Sequence, residues 1–296
     1  MKKIIIFVLM VAFNSQAVVK RHDVKSELYE LKSPPEYYVD MPFEGTAVLI
    51  DKNWLLAPAH VIYTFYYDYL GKPLEVGGVE NRIEKIVFHP EYVHDQTDWG
   101  DGNPQPLMDF LNNHSDIALI KLSNSVTHIN PITIFSGKTE LGLKVTVYGK
   151  GAVGNGLTGE IRETKNAGFL EKAYNWLRQP FTELAPTQKF RQLNYYNNVI
   201  TEVDERWIRF KFDADETALP LEGTIGAGDS GGPAVIFHDD IPVLVGLASW
   251  VEIDSPLNQF VSGKYNSVAV FVRASSFKNW IDEVLNENRR SDESLQ

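Results

Sequence analysis

The 296-residue chain contains no cysteine. Disulfide staples are excluded, so stability has to come from a buried core, which a chain of this length can build. The hydrophobic fraction of 44% is ordinary for a globular protein. Basic residues are scarce: 28 Lys and Arg stand against 39 Asp and Glu, a formal net charge of −11. That balance argues against nucleic acid and anionic membrane surfaces as general partners, because both need basic patches. A spanning helix needs about 20 apolar residues, and no stretch supplies them. The longest apolar run, Ile4 to Phe13, follows Lys2-Lys3 and leads to Ser15-Gln16-Ala17, small residues placed for signal peptidase. Residues 1–17 therefore read as a cleaved secretory signal, with the mature chain starting at Val18. Its removal leaves 26 cationic and 39 anionic side chains, a formal −13. No internal repeat is present.

Against these absences stands one dense motif, Gly228-Asp229-Ser230-Gly231-Gly232-Pro233. Glycine loses the most conformational freedom on folding, so a cluster marks backbone that must bend unusually or approach something closely. Tight backbone from Gly228 to Ser230 can aim two N–H groups at one point beside the Ser230 hydroxyl, where they would stabilise the oxyanion of an acyl-transfer intermediate. A serine hydroxyl is a weak nucleophile alone and needs a histidine base oriented by a carboxylate. Both are present in context. His60 ends the apolar run Trp54-Leu55-Leu56-Ala57-Pro58-Ala59, and Asp116 opens the run Ile117-Ala118-Leu119-Ile120.

Singly, each residue has a plainer reading: a turn serine, a buried histidine, a cap before a strand. Gly-Asp-Ser-Gly-Gly also satisfies the Gly-x-Ser-x-Gly elbow of α/β-hydrolases. That elbow needs a helix after the serine and a later acid and histidine. Here Ala234 to Phe237 is strand-like, and no such pair follows. The order His, Asp, Ser is the chymotrypsin order.

With three ordered motifs, the chain resembles the trypsin/chymotrypsin-like serine proteases from about Gly45 to the C-terminal helix. The resemblance implies an all-β fold of two six-stranded antiparallel β-barrels, the first over about 40–135 and the second over about 136–273. A C-terminal helix over 275–285 and a helical insertion within 160–200 would complete it. It implies His60, Asp116 and Ser230 as the catalytic triad, the backbone N–H groups of Gly228 and Ser230 as the oxyanion hole, and no metal or organic cofactor. Val61 and Gly226 stand where relatives often carry cysteines, and a cysteine-free exported version reads as bacterial, periplasmic or extracellular. In this family a freed apolar N-terminus pairs with the aspartate before the nucleophile, which makes Val18 and Asp229 the expected pair. The alternative is a loose N-terminal surface arm.

The resemblance also locates a specificity pocket. Thr224, six residues before Ser230, takes the base position, where an aspartate would select Arg or Lys. Ser249-Trp250-Val251 takes the place of a Ser-Trp-Gly wall, and Val251 should narrow the pocket. Ala248 supplies no histidine for glutamate. The expected preference before the scissile bond is a small or medium uncharged side chain. The expected partners are a protein or peptide substrate and a protein inhibitor, with no nucleic acid or membrane, and the chain is expected to be a monomer. A selective esterase or processing enzyme, and a non-catalytic binding protein on a protease fold, are the other readings.

Elsewhere, Arg82 to His89 and Arg206 to Phe212 alternate like strands. Ala167 to Gln179 carries a helical stripe ended by Pro180, and Ser275 to Leu285 carries another, with a polar, mobile tail from Asn286. The stretch from His94 to Asn113 reads as a solvated acidic loop, with Asp95, Asp98, Asp101 and Asp109 in no EF-hand spacing. His89 and His94 fit no zinc pattern. Gly149 to Gly156 reads as a flexible glycine-rich loop that lacks the ending of a phosphate loop.

Overall fold

The computed structural model describes residues 18–161 and 192–294. The expected signal segment, the helix over 167–179 and most of the insertion around it lie outside the described residues. The first six barrel strands are β1 (Tyr38–Asp40), β2 (Thr46–Asp51), β3 (Trp54–Ala57), β4 (Pro73–Val76), β5 (Val79–Phe88) and β6 (Ala118–Leu122). They pair antiparallel in the order β1-β2-β3-β6-β5-β4, a nearly closed barrel. The β2–β3 hairpin turns at Lys52-Asn53, where the Asn53 N–H donates to Asp51 Oδ1 at 3.2 Å. Such an Asx turn substitutes a side-chain acceptor for a backbone one. Every residue of β3 and β6 is buried, as expected of central strands covered on both faces.

The second barrel comprises β7 (Lys144–Gly149), β8 (Asn194–Val203), β9 (Trp207–Lys211), β10 (Pro233–His238), β11 (Ile241–Val251) and β12 (Val268–Arg273). The order β10-β7-β8-β9-β12-β11 closes through β10–β11, all antiparallel. Closure removes the unpaired edges that an open sheet presents. Thr133–Ile134, on the crossing between the halves, adds a short parallel pairing to β11. The alternating segment 206–212 is indeed a strand, yet Trp207, Ile208, Arg209 and Phe210 are all buried. Its polar face is covered too, for a reason given below.

Helix α1 (Ala59–Tyr63) follows β3, and a single turn, α2 (Tyr66–Tyr69), follows that. Helix α3 (Gln105–Asn113) stands inside the segment expected to be an acidic loop. The acids there are used locally: Asp95 accepts from Thr97 N and Trp99 Nε1, Asp98 from Gly100 N, and Asp109 from Gln105 Nε2. The end of α3 crosses to the second barrel, where Asn112 O accepts from Trp207 Nε1 at 3.0 Å and Asn112 Oδ1 from Arg209 Nη2 at 2.7 Å. This covers the polar face of β9.

Helix α4 (Lys278–Ser294) follows a 3-10 turn at Ala274–Phe277; the turn buries Phe277 and the helix Ile281, Val284 and Leu285 in the core cluster of the first barrel. Each such side chain contributes about 1.5–3 kcal/mol of burial. The helix runs nine residues past the end read from the sequence. Lys278 pairs with Asp282 and Arg289 with Asp51, so charged contacts support a stretch that is polar in composition.

Candidate active site

Strands β3 and β6 are neighbours, with Ala57 opposite Ala118. His60 lies three residues beyond one and Asp116 two residues before the other, so the pairing alone brings them together. The His60 N–H, which a first helical turn leaves without an intrahelical acceptor, donates to Asp116 Oδ1 at 2.8 Å. His60 Nδ1 lies 2.6 Å from Asp116 Oδ2, and His60 Nε2 lies 2.9 Å from Ser230 Oγ. Because Asp116 only accepts, the proton belongs on Nδ1, which leaves Nε2 as the acceptor for the serine.

A third donor was not read from the sequence. Ser249, expected only as pocket wall, donates its hydroxyl to Asp116 Oδ2 at 2.5 Å. The cause is a β-bulge: the β11–β12 register shifts between Ala248 and Trp250, which leaves Ser249 as the extra residue. Bulges re-aim side chains in this way. Burial works to raise the Asp116 carboxyl, but His60 and these three hydrogen bonds outweigh it and hold it below the usual carboxylate range. Burial likewise works to lower the His60 imidazole, and the Asp116 carboxylate overcomes it, leaving His60 raised.

Ser230 sits where the barrels meet, its carbonyl accepting from Thr46 N of β2 at 2.8 Å. Gly231 has φ +80°, and a Cβ there would lie 1.9 Å from Thr46 O, so only glycine allows this approach. Gly228 has φ +92°, a conformation that favours glycine. Along this turn, Asp229 N donates to Gly226 O, Gly231 N to Ala248 O and Gly232 N to Asp229 O. Among the described residues the N–H groups of Gly228 and Ser230 donate to nothing. Both residues are half-buried, so water can satisfy these N–H groups until another acceptor takes its place.

The Asp229 carboxylate is buried and accepts from Gly151 N at 2.6 Å and Gly226 N at 2.8 Å. A Cβ on Gly149 would fall 2.1 Å from Asp229 Oδ1, and one on Gly151 2.6 Å from Asp229 N. These glycines, expected to give a flexible loop, instead make room for a carboxylate. Val18 is fully buried, and the same Cβ on Gly149 would lie 3.1 Å from its Cγ1, so Val18 and Asp229 flank one point. Val19 pairs with Gly154 and Thr224, and Lys20 with Asn155 and Gly223, in a small four-stranded sheet. Lys20 Nζ donates to Asn194 Oδ1 at 2.9 Å and Ser26 Oγ at 3.0 Å; burial lowers the amine to about 8. The N-terminal arm, whose alternative reading was a loose surface segment, is built into the fold at Val19 and Lys20.

Thr224 is buried, and its Oγ1 has no hydrogen-bond partner among the described residues. Trp250 packs edge-on against Trp207, with ring centroids 5.6 Å apart. Val251 stands directly opposite Ala269 of β12, so their side chains share a face, the one on which Ala248 and Phe271 also pair. Ala269, which the sequence reading passed over, is buried on that face.

Residues 33–168 match the Trypsin family model, a span that holds His60 and Asp116. The chain is 23% identical over 251 residues to kallikrein 1-related peptidase b21 of Mus musculus, covering 81% of this chain and 80% of that one. Kallikrein 1-related peptidase b11 of the same organism is 25% identical over 260 residues at the same coverage. Transmembrane protease serine 11G of Rattus norvegicus is 25% identical over 255 residues, 81% of this chain and 49% of that protein.

Proposed function

We propose, from a chain with the trypsin fold and similarity to serine proteases over four-fifths of its length, that it is a serine endopeptidase using His60, Asp116 and Ser230. The observation that carries this reading is the unbroken relay from Asp116 Oδ2 through His60 to Ser230 Oγ, with contacts of 2.6 and 2.9 Å. Ser230 Oγ attacks the scissile carbonyl while His60 Nε2 takes its proton. Asp116 fixes the tautomer and stabilises the imidazolium that forms. The Gly228 and Ser230 N–H groups receive the oxyanion. The imidazolium then protonates the leaving amine, and water repeats the sequence to release the acid from the acyl-enzyme. Every proton moves between groups in the chain, the substrate and water.

Substrate choice follows from the pocket. Thr224 at its base offers no charge for Arg or Lys, and Val251 with Ala269 takes up width. This favours a small or medium uncharged side chain before the scissile bond. Export by a signal over residues 1–17 would leave Val18 as a free N-terminus beside Asp229, with no separate propeptide. Its α-ammonium then pairs with that carboxylate and orders the turn that carries the oxyanion donors. N-terminal sequencing of active protein should begin at Val18; a start well past Val19 would remove this part of the proposal.

The test of the whole is labelling of mature protein with a fluorophosphonate, which reacts with activated serines. Wild type should be modified at Ser230 alone, identified by mass spectrometry, and Ser230→Ala should not be modified. That substitution should also lower turnover by about 10⁶-fold. Folded protein starting at Val18 that resists the probe would instead favour a binding role.

A further inference from the structure

A cleft of about 450 Å³ opens where the turn after β5, the β8–β9 turn and the start of α4 meet. His89, Glu91, Arg206, Phe277, Asn279 and Trp280 line it. It contains none of the residues of the proposed catalytic site. Its apolar part is aromatic: the His89 ring meets Phe277 and Trp280 edge-on, with centroids 5.1 and 5.0 Å away.

Its polar part is a set of underused donors. Arg206 Nη2 contacts Glu91 Oε2 at 3.2 Å, and Nη1 lies 3.8 Å from the highly exposed Glu205 carboxylate. Arg206 Nε is buried and has no hydrogen-bond partner among the described residues. That N–H is closed to solvent, so the donors open to a ligand are those of Nη1, which makes no hydrogen bond among the described residues. His89 Nδ1 accepts from Glu91 N at 3.2 Å, which places the ring proton on Nε2 and leaves a second donor. Burial lowers the imidazole, which favours the neutral ring. The neighbouring cation Arg273 is already satisfied by the buried carboxylate of Glu140 and by Asp204 O. The acid Glu91 is occupied as well, accepting from Ser115 Oγ at 2.9 Å. One cation with an idle Nη1 therefore shares the cleft with an aromatic wall.

We propose that this cleft binds a carboxylate attached to an apolar or aromatic body, with Arg206 taking the carboxylate and Phe277 and Trp280 the body. Arginine suits this role because its planar fork matches a carboxylate in two-point contact. The same chemistry is offered by a small aromatic acid and by the C-terminal residue of a peptide.

The experiment uses the mature Ser230→Ala protein, so that no ligand is cleaved. N-acetyl-phenylalanine and N-acetyl-phenylalaninamide are titrated by calorimetry. The acid should bind at least about tenfold more tightly than the amide, since the amide cannot form the charged pair. Arg206→Lys keeps a cation near Glu91 but lacks the guanidinium fork; with an unchanged melting temperature, it should weaken the acid by about tenfold. A hexapeptide ending in free phenylalanine separates the two sources. Tighter binding than the acid assigns the cleft to chain termini, and equal or weaker binding assigns it to small acids. Equal affinity for acid and amide, or binding of the acid that Arg206→Lys leaves intact, overturns the proposal.

Discussion

Asp116→Asn is the sharpest perturbation of the proposed relay. Asp116 accepts three hydrogen bonds, from His60 N, His60 Nδ1 and Ser249 Oγ. An asparagine has one accepting oxygen and one donating nitrogen in place of two acceptors. If its oxygen stays with the His60 N–H, its NH₂ faces His60 Nδ1. The imidazole then has to carry its proton on Nε2, where it can no longer take the proton of Ser230. If the amide flips, the NH₂ meets the backbone N–H, and two donors confront each other. The flip would keep the tautomer but incur that donor–donor clash, so the first arrangement prevails and disables the base while leaving its position intact. The expected loss is about 10⁴ in kcat, or roughly 5.4 kcal/mol at 1.36 kcal/mol per tenfold. Ser249→Ala removes one of the three bonds and leaves the tautomer correct. A hydrogen bond to a charged group contributes about 1.5–3 kcal/mol, so its loss should cost at most about 10- to 100-fold. The assay is kcat and KM on a chromogenic peptide ending in alanine, together with the rate of fluorophosphonate labelling. Asp116→Asn activity within tenfold of wild type, or Ser249→Ala falling below Asp116→Asn, would refute the tautomer argument.

Three further outcomes are expected. Since Asp116 raises His60 and only the neutral imidazole is a base, kcat/KM should fall with decreasing pH through a midpoint above the ordinary imidazole value of about 6.5. In Asp116→Asn, whatever activity survives should show that limb at lower pH; a pH–rate profile from 5 to 9 checks both. Val251→Gly combined with Ala269→Gly should raise kcat/KM for phenylalanine relative to alanine before the scissile bond by about tenfold or more. A peptide-library profile reads this, and an unchanged preference, or a wild type that prefers arginine, would place the determinant elsewhere. Gly151→Ala drives a methyl group against Asp229 N and Cγ, displacing the turn that holds the oxyanion donors, and should cost about 10²- to 10³-fold in kcat. Circular dichroism should show the fold retained.

The barrels were legible because their strands alternate, or run apolar, over stretches bounded by turn residues. Arg82 to His89 and Arg206 to Phe212 are such cases. Helix α3 was not, because Pro104, Pro106 and the surrounding aspartates carry the signature of a loop. What holds the helix, the contact of Asn112 with Trp207 and Arg209, joins positions nearly a hundred residues apart. The three principal residues of the candidate site announced themselves by their neighbours, since a serine among glycines has few other uses. Ser249 and Ala269 could not. Both depend on counting register across β11 and β12, and a bulge that no local pattern marks changes that count. Gly149 and Gly151 showed only that a side chain was unwelcome; the carboxylate that excludes it comes from Asp229.

The bulge at Ser249 ties two properties to one residue count. It turns Ser249 toward Asp116, and it sets Val251 opposite Ala269 two residues later. Deleting one residue here would slide the wall out of step with β12 and withdraw the hydroxyl from the carboxylate at once. Substitutions at Val251 and Ala269 carry no such penalty. On the proposed function, divergence toward new substrates would therefore be channelled: side chains at these two positions can change without moving the register, while the length of the strand that carries Val251 is held fixed by the contact of Ser249 with Asp116.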